Sequence, residues 1–314
     1  MTAAVVALSH SPLIGKNDPE HDVLDRVAGA VETAKAFIAD FAPDVVVLYA
    51  PDHYNGFFYK EMPPFCLGTE AHSVGDFGSA AGPLSVDTGA AGALARGVLD
   101  RGVDLTISAR MTVDHGFAQP LETLFGGIDR VPVVPIFVNG VATPLCPVRR
   151  IRALGTAVGQ AASELGRRVL FVASGGLSHD PPVPVLDGAP PRVADALIEG
   201  HPPTPEQRGR GEERVIEAGR RYAAGSTAMI PINPAWDNWL LDLLERAELA
   251  EFDNWTVDEM AAEGGGSAHE VRTWIAAFAS LAALGRYRMN YRFYEPIPAW
   301  IAGFAVATAV QDRQ

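Results

Sequence analysis

The chain reads as an α/β protein with a largely parallel or mixed central sheet flanked by helices and a helical C-terminal portion. Three observations predict this. Apolar, mostly β-branched runs of strand length (Ala4–Leu8, Val45–Tyr49, Leu105–Ser108, Val131–Phe137, Val169–Ala173) alternate with stretches whose apolar residues recur at three and four. At 314 residues and 48% hydrophobic, the chain is long enough to bury a large core. After residue 180, proline-rich and charged stretches end the alternation and lead into helices.

The first run, Ala4–Leu8, is broken at once by Ser9-His10 and has no positively charged segment before it, so it reads as a strand and not as an export signal. Asp22 is a candidate N-cap for a helix whose stripe is Val23, Leu24, Val27, Val31, Ala34, Phe37 and Ile38. That helix leads into Val45–Tyr49. Residues 54–85, with FFY, PPF and GDFGSAAG, lack periodicity, and so long a stretch inside a compact domain is usually functional. Thr88–Leu99 is helical, Leu105–Ser108 a strand, and a short helix begins near Pro120. Val131–Phe137 ends at Asn139-Gly140, and the amphipathic helix Arg149–Leu165 returns the chain to Val169. Strand, helix, strand, repeated, gives parallel neighbours.

Beyond His179, PPVPV and RGRGEERV mark surface loops and a charged helix, followed by helices around Trp236–Arg246 and His269–Leu284. Asp258, Glu259 and Glu263 precede GGGS, with Ser267 a candidate N-cap and Glu270 in the first turn, where the helix dipole favours a carboxylate. The aromatic tail YRMNYRFYEPIPAWIAGF suits a pocket lining or a subunit contact, so a homo-oligomer is expected. We read residues 1–314 as one catalytic domain: 1–180 an α/β core carrying four site histidines, and 181–314 a mainly helical portion supplying a carboxylate.

The balance of 25 Lys and Arg against 38 Asp and Glu gives a net charge of −13, with no basic stripe. Nucleic-acid binding is excluded on that ground, and an anionic substrate would have to be met by local positive groups. The arginines are too numerous to single one out from sequence. Cys66 and Cys146 are too few for a disulfide framework and wrongly spaced for a thiolate metal site, which fits a reducing cytoplasm. The apolar stretch Trp300–Val310 is too short to span a bilayer, so no membrane partner is expected.

Four of the eight histidines follow strand-like runs: His10, His53, His115 and His179. In open α/β sheets ligands bind at the carboxyl edge of the strands, so four imidazoles are expected to converge. Before His179, Gly175-Gly176 allow a sharp turn and a close approach. Two neutral imidazoles and one carboxylate form the facial triad of non-heme Fe(II) oxygenases, and His10, His53 and Glu270 can supply it. His115 and His179 then remain for proton transfer, with intrinsic pKa values suited to it.

Other uses of these residues are weaker. Asp52 and Asp114 read first as turn residues and second as carboxylates supporting their histidine neighbours. Gly175-Gly176 lacks the lysine and glycine spacing of a phosphate loop, and Ser178 and His179, adjacent on extended chain, point apart. In His269-Glu270, Thr273 stands where a zinc-protease helix has its second histidine. His21, His72, His201 and His269 read as surface or structural, and Cys66 as a small core residue. Two other functions compete: a zinc-dependent hydrolase on the same scaffold, and a non-catalytic assembly module.

Ten segments carry a resemblance over nearly the whole chain. They are LSHSPL (Leu8–Leu13), APDHYNGFFY (Ala50–Tyr59), MPPFCLG (Met62–Gly68), GDFGSAAG (Gly75–Gly82), VDHGFAQPLE (Val113–Glu122), NGVATPL (Asn139–Leu145), SGGLSH (Ser174–His179), NPAWDN (Asn233–Asn238), HEVRTWIAAFA (His269–Ala279) and PIPAWIAGF (Pro296–Phe304). With them the sequence resembles the class III extradiol ring-cleavage dioxygenases. The resemblance implies iron ligands at His10, His53 and Glu270, and an acid–base pair at His115 and His179. It implies Fe(II) as cofactor, with dioxygen and a catechol bearing a carboxyalkyl side chain as substrates.

Overall fold

The computed structural model describes residues 2–201 and 203–312. In the first part of the chain come β1 (Ala3–Leu8), α1 (His21–Phe41), β2 (Val45–Ala50), β3 (Phe65–Gly68), β4 (Ala71–Val74) and β5 (Ala81–Pro83). There follow α2 (Thr88–Asp100), β6 (Thr106–Ser108), β7 (Met111–Val113), α3 (His115–Phe125), β8 (Val133–Val138), α4 (Val148–Ser163) and β9 (Val169–Ser174). The remainder holds α5 (Pro191–Glu199), α6 (Pro205–Ala223), α7 (Pro234–Glu245), α8 (Val257–Gly264), α9 (Val271–Ala282), β10 (Tyr287–Ile297) and β11 (Ala302–Gln311).

Eight strands form one mixed sheet in the order β10-β11-β1-β9-β2-β8-β3-β6. Its centre, β1-β9-β2-β8, is parallel, while β11 runs against β1 and β3 against β8. Every residue of the four central strands is buried, as the near-continuous apolar runs require when helices cover both faces. Alternate residues of β1 serve two cores. Ala3, Val5 and Ala7 join the core under α2, α4 and α9, while Ala4, Val6 and Leu8 join the one under α1 and α3. Helix α4 lies almost in contact with α9, because a Cβ at Gly159 would stand only 2.1 Å from the Ser280 carbonyl oxygen.

Several elements depart from the sequence expectation. Helix α3 starts at His115, five residues before Pro120, because the Asp114 side chain caps it by accepting Gly116 N–H. Helix α1 starts one residue before Asp22, with Glu20 at its N-cap, and Ser267 makes no side-chain cap. The aperiodic stretch 54–85 holds three short strands, two of which (β4, β5) build a second sheet in the order β5-β4-β7. The portion after residue 180 is not only helical. Its last two strands pair antiparallel and attach to β1, so both ends of the chain meet in one sheet. Among the described residues no helix is long and apolar enough to cross a membrane.

Candidate active site

Strands β1, β9 and β2 are parallel neighbours, in register at Leu8↔Ser174 and Tyr49↔Ala173. The loops leaving them therefore emerge side by side, and they carry His10, His179 and His53. His115 arrives from elsewhere: it follows β7 of the small sheet and opens α3, and β6, expected to lead to it, lies at the far edge of the main sheet. All the same, the His53 and His115 rings stack at 4.5 Å, and His10 stands edge-on to both at 5.6 and 5.4 Å.

Glu270 reaches this cluster from a single helical turn, Ala268–Glu270, ahead of α9. Thr273 Oγ1 donates to Ser174 O at 2.9 Å and Trp274 Nε1 to Gly175 O at 3.0 Å, bolting α9 to the end of β9. The approach is so close that a Cβ at Gly175 would lie 2.8 Å from Glu270 Cβ, which explains a glycine at this turn. Gly176 N–H donates to Glu270 Oε2 at 2.9 Å. Around the carboxylate stand His53 Nε2 at 3.0 Å, His179 Nε2 at 3.2 Å and His10 Nε2 at 3.6 Å. Two acids nearby in sequence are occupied elsewhere: Glu259 closes a capping box with Thr256, and Glu263 receives Asn233 Nδ2.

The partners of each Nδ1 assign the tautomers. Ser174 Oγ donates to Gly116 O at 2.6 Å and therefore accepts from His10 Nδ1 at 2.9 Å. His53 Nδ1 donates to Asp114 Oδ2 at 3.0 Å, and His179 Nδ1 to Leu177 O at 2.8 Å. With Nδ1 committed outward on three rings, three Nε2 atoms converge on one buried carboxylate. A positive species, proton or metal ion, belongs between them. His115 is held the same way, its backbone N–H donating to Asp76 Oδ1 at 2.8 Å and its Nδ1 to Asp76 Oδ2 at 2.5 Å.

The electrostatics follow from burial and pairing. Burial pushes His10 down to about 3, making it a neutral donor at physiological pH. Burial also works against charge on His53 and His179, but Asp114 and Glu270 outweigh it and hold both above the ordinary imidazole value. His115 is raised too, against its burial, by Asp76 and Asp114. Glu270, despite a burial that opposes ionisation, is held well below the usual carboxylate range by the imidazoles around it, His179 first.

Two groupings overlap here. His10, His53 and His115 each offer a nitrogen within 4.8 Å of the others, while Glu270 is approached by His10, His53 and His179. His10 and His53 are the two members common to both. Two ligands bound at right angles with bonds of about 2.1 Å lie roughly 3.0 Å apart, which the His53–Glu270 pair matches and the His10–Glu270 pair approaches. Asp76, Asp114 and His115 form another close set, but both of its carboxylates are already spent on backbone and imidazole donors.

A cavity of about 350 Å³ opens above the cluster, within the usual range for small-molecule sites. Its floor is His10, His53, His115, His179 and Glu270, and its walls include Phe77, Pro181, Val183, Trp300 and Ile301. The aromatic tail thus contributes to the pocket. Sequence reasoning missed Asp76 and Ser174, and ranked Asp114 as a turn residue when it caps α3 and supports His53. Asp76 sat in the aperiodic stretch, whose length was the one signal pointing to it. Of the remaining histidines, His21, His72 and His201 are exposed and His269 is buried, and Cys66 lies in the core.

A family model described as the catalytic LigB subunit of aromatic ring-opening dioxygenase matches residues 4–305. The chain is 56% identical over 310 residues to a 2,3-dihydroxyphenylpropionate/2,3-dihydroxicinnamic acid 1,2-dioxygenase of Rhodococcus sp, covering 99% of both chains. Proteins of the same name from Mycolicibacterium vanbaalenii (54%; 98% of this chain, 97% of the relative) and Klebsiella pneumoniae (51%; 99% and 100%) are similar throughout. The fold is shared with a solved structure of an uncharacterized protein from Escherichia coli K12, at a TM-score of 0.50 and 13% identity, covering 97% of this chain and 98% of that one. The three relatives above 50% identity are named as dioxygenases, which supports the oxygenase reading over the hydrolase. The chain belongs to the LigB family of aromatic ring-opening dioxygenases, the class III extradiol enzymes.

Proposed function

We propose that this enzyme is a non-heme Fe(II) dioxygenase that opens the ring of 3-(2,3-dihydroxyphenyl)propionate, and of the corresponding cinnamate, beside the two hydroxyls. The product is a yellow 2-hydroxy-6-oxo-nona-diene-dioate containing both atoms of dioxygen. The observation that carries this is the convergence of His10 Nε2, His53 Nε2 and Glu270 at the floor of an apolar-walled cavity. Substrate class is taken from the relatives named above, among them the Rhodococcus enzyme at 56% identity over 99% of the chain. Residues 1–314 act as one catalytic domain, a reading supported by β1 and β11 being paired neighbours.

His10, His53 and Glu270 would hold the iron. A neutral imidazole, an imidazole backed by a carboxylate, and an anionic carboxylate form the donor set that suits Fe(II) with positions left open. Iron bound there supplies a redox-active Lewis acid able to acidify a catechol hydroxyl and carry electron density from the ring to dioxygen. The protein supplies the rest. Asp76 holds His115 and Leu177 O holds His179 through Nδ1, so both rings are fixed in the cavity lining with Nε2, which on His179 lies 3.2 Å from Glu270 Oε1, as the proton-exchanging nitrogen. One ring can take the proton released by the catechol, and the other can deliver one as the O–O bond breaks. Phe77, edge-on to His115 at 5.1 Å, and Pro181 give this part of the cavity an apolar lining.

The test is anaerobic reconstitution with Fe(II), followed by metal analysis, oxygen uptake and visible absorbance with the catechol acid. One oxygen consumed per catechol, with a yellow product, supports the reading. Turnover with zinc and no oxygen uptake overturns it.

A further inference from the structure

The cavity is apolar over much of its wall, yet a carboxyalkyl catechol carries a negative charge into a protein of net charge −13. An anion leaving water for such a site needs a fixed cation. Beyond the imidazole floor, the far wall is one face of α6, made by Arg208, Gly211, Glu212 and Val215 at the three- and four-residue spacing of a single helical stripe. Glu212 is committed there, its Oε1 accepting Phe77 N–H at 2.8 Å. Two guanidinium groups line the cavity, Arg208 and Arg214, and only Arg208 is half-buried while Arg214 is exposed.

Among the described residues Arg208 has no carboxylate partner. Among the described residues its guanidinium makes one hydrogen bond, from Nη1 to the neutral Asn55 Oδ1 at 3.3 Å. A guanidinium has five donors in a planar fork, so this one retains the edge needed to hold a carboxylate by two parallel bonds. Its location is set by the same network that sets the iron ligands. Asn55 stands two residues after His53 and donates through Nδ2 to His53 O and to Asp114 Oδ2, both at 3.3 Å. Arg208 is thereby tied to the loop that presents His53.

We propose that Arg208 is the specificity-determining residue of this pocket, binding the side-chain carboxylate of the catechol whose hydroxyls face the His10–His53–Glu270 floor. The inference rests on the carboxyalkyl-catechol reading given above and names the residue that enforces it.

The experiment compares Fe(II)-loaded wild type, Arg208→Leu and Arg214→Leu on 3-(2,3-dihydroxyphenyl)propionate and on 3-propylcatechol, which lacks the charge. Two readouts are taken: kcat/KM in air, and Kd by anaerobic titration calorimetry, where no turnover occurs. The ratio of acid to neutral substrate is expected to fall about 100-fold in Arg208→Leu, chiefly through KM and Kd, as loss of a charge-assisted bidentate pair requires. In Arg214→Leu it is expected to match wild type. Should the leucine variant fail to fold, Arg208→Gln keeps a donor for Asn55 and carries the same comparison. A ratio unchanged in the Arg208 variant, or abolished by Arg214→Leu instead, overturns the assignment while leaving the substrate reading intact. A wild type with no preference for the acid overturns the substrate reading, and the assignment with it.

Discussion

Asp114 Oδ2 accepts the Nδ1 proton of His53 at 3.0 Å while Asp114 Oδ1 caps the helix that begins at His115. One carboxylate thus orients a proposed iron ligand and fixes the start of the helix carrying a proposed acid–base residue. Oδ2 also receives His53 N–H at 2.7 Å. Asp114→Asn preserves the cap, since asparagine serves that role about as well, but turns an amide donor toward the His53 ring. Fe(II) affinity is expected to fall by about 10–100-fold, the usual effect of losing a hydrogen-bonded support behind a metal ligand. Anaerobic Fe(II) titration checks this, and wild-type affinity would show that the His53 orientation is set by other contacts.

Asp76 does for His115 what Asp114 does for His53, but at a residue proposed to move protons. Asp76→Asn keeps an oxygen for the His115 backbone N–H and offers an amide hydrogen to Nδ1, shifting the ring proton to Nε2. A ring in the wrong tautomer is expected to cost kcat about 10²–10⁴-fold. Iron content should remain that of wild type, because no proposed ligand touches the substituted atom. Steady-state kinetics with parallel iron analysis separates the two effects, and loss of iron in step with loss of rate would make Asp76 a structural residue only.

Gly175→Ala tests how closely β9 and α9 meet. The added Cβ would lie 2.8 Å from both Glu270 Cβ and Glu270 O, neither of which belongs to a flexible side-chain tip. Overpacking of this kind costs about 1–3 kcal/mol, and here it also pushes the carboxylate from the imidazoles. A lowered Tm and reduced iron retention are expected together. Gly209→Ala on α6 is the control: nothing lies within 4 Å of its new Cβ, and replacing glycine in a helix stabilises by roughly 0.5–1 kcal/mol.

Much of this architecture was legible because buried parallel strands write themselves as apolar runs. Val45–Tyr49 and Val169–Ala173 were read within one residue of the observed β2 and β9, and the histidine after each lies where the strand edge delivers it. His115 follows no strand of the main sheet: it arrives from the small sheet, whose strands of three or four residues are too short to show alternation. Asp76 and Ser174 were illegible because their roles depend on pairing across 39 and 164 residues of sequence, which no local pattern encodes. The final strands β10 and β11 were hidden for a different reason. Their aromatic and proline-rich composition reads as pocket or interface; the turn between them, with Trp300 and Ile301, and Ala302 at the start of β11 do line the pocket, while the strands complete the sheet.

Asp237 offers a test of stability that is independent of iron. It is fully buried, and its carboxylate receives Ser178 N–H, Ser178 Oγ and Tyr294 Oη, each at 2.7 Å, joining α7 and β10 to the loop that presents His179. Burial raises its pKa above the ordinary aspartate value, against the pull of those hydrogen bonds. The folded protein therefore retains this proton at pH values where the unfolded chain has released it. Where the native state holds the extra proton, stability declines as pH rises. The contribution is fully present below the unfolded value and is lost upward through the folded one, starting from about pH 4. Asp237→Asn removes this titration, so the stability of wild type relative to the variant should decline across that window. Urea unfolding of the two proteins in the same metal state, at several pH values from 4 to 8, measures the difference, whose slope is set by at most one proton. A difference that stays flat, or rises with pH, would mean that the Ser178 and Tyr294 hydrogen bonds outweigh burial and that the carboxylate is charged throughout.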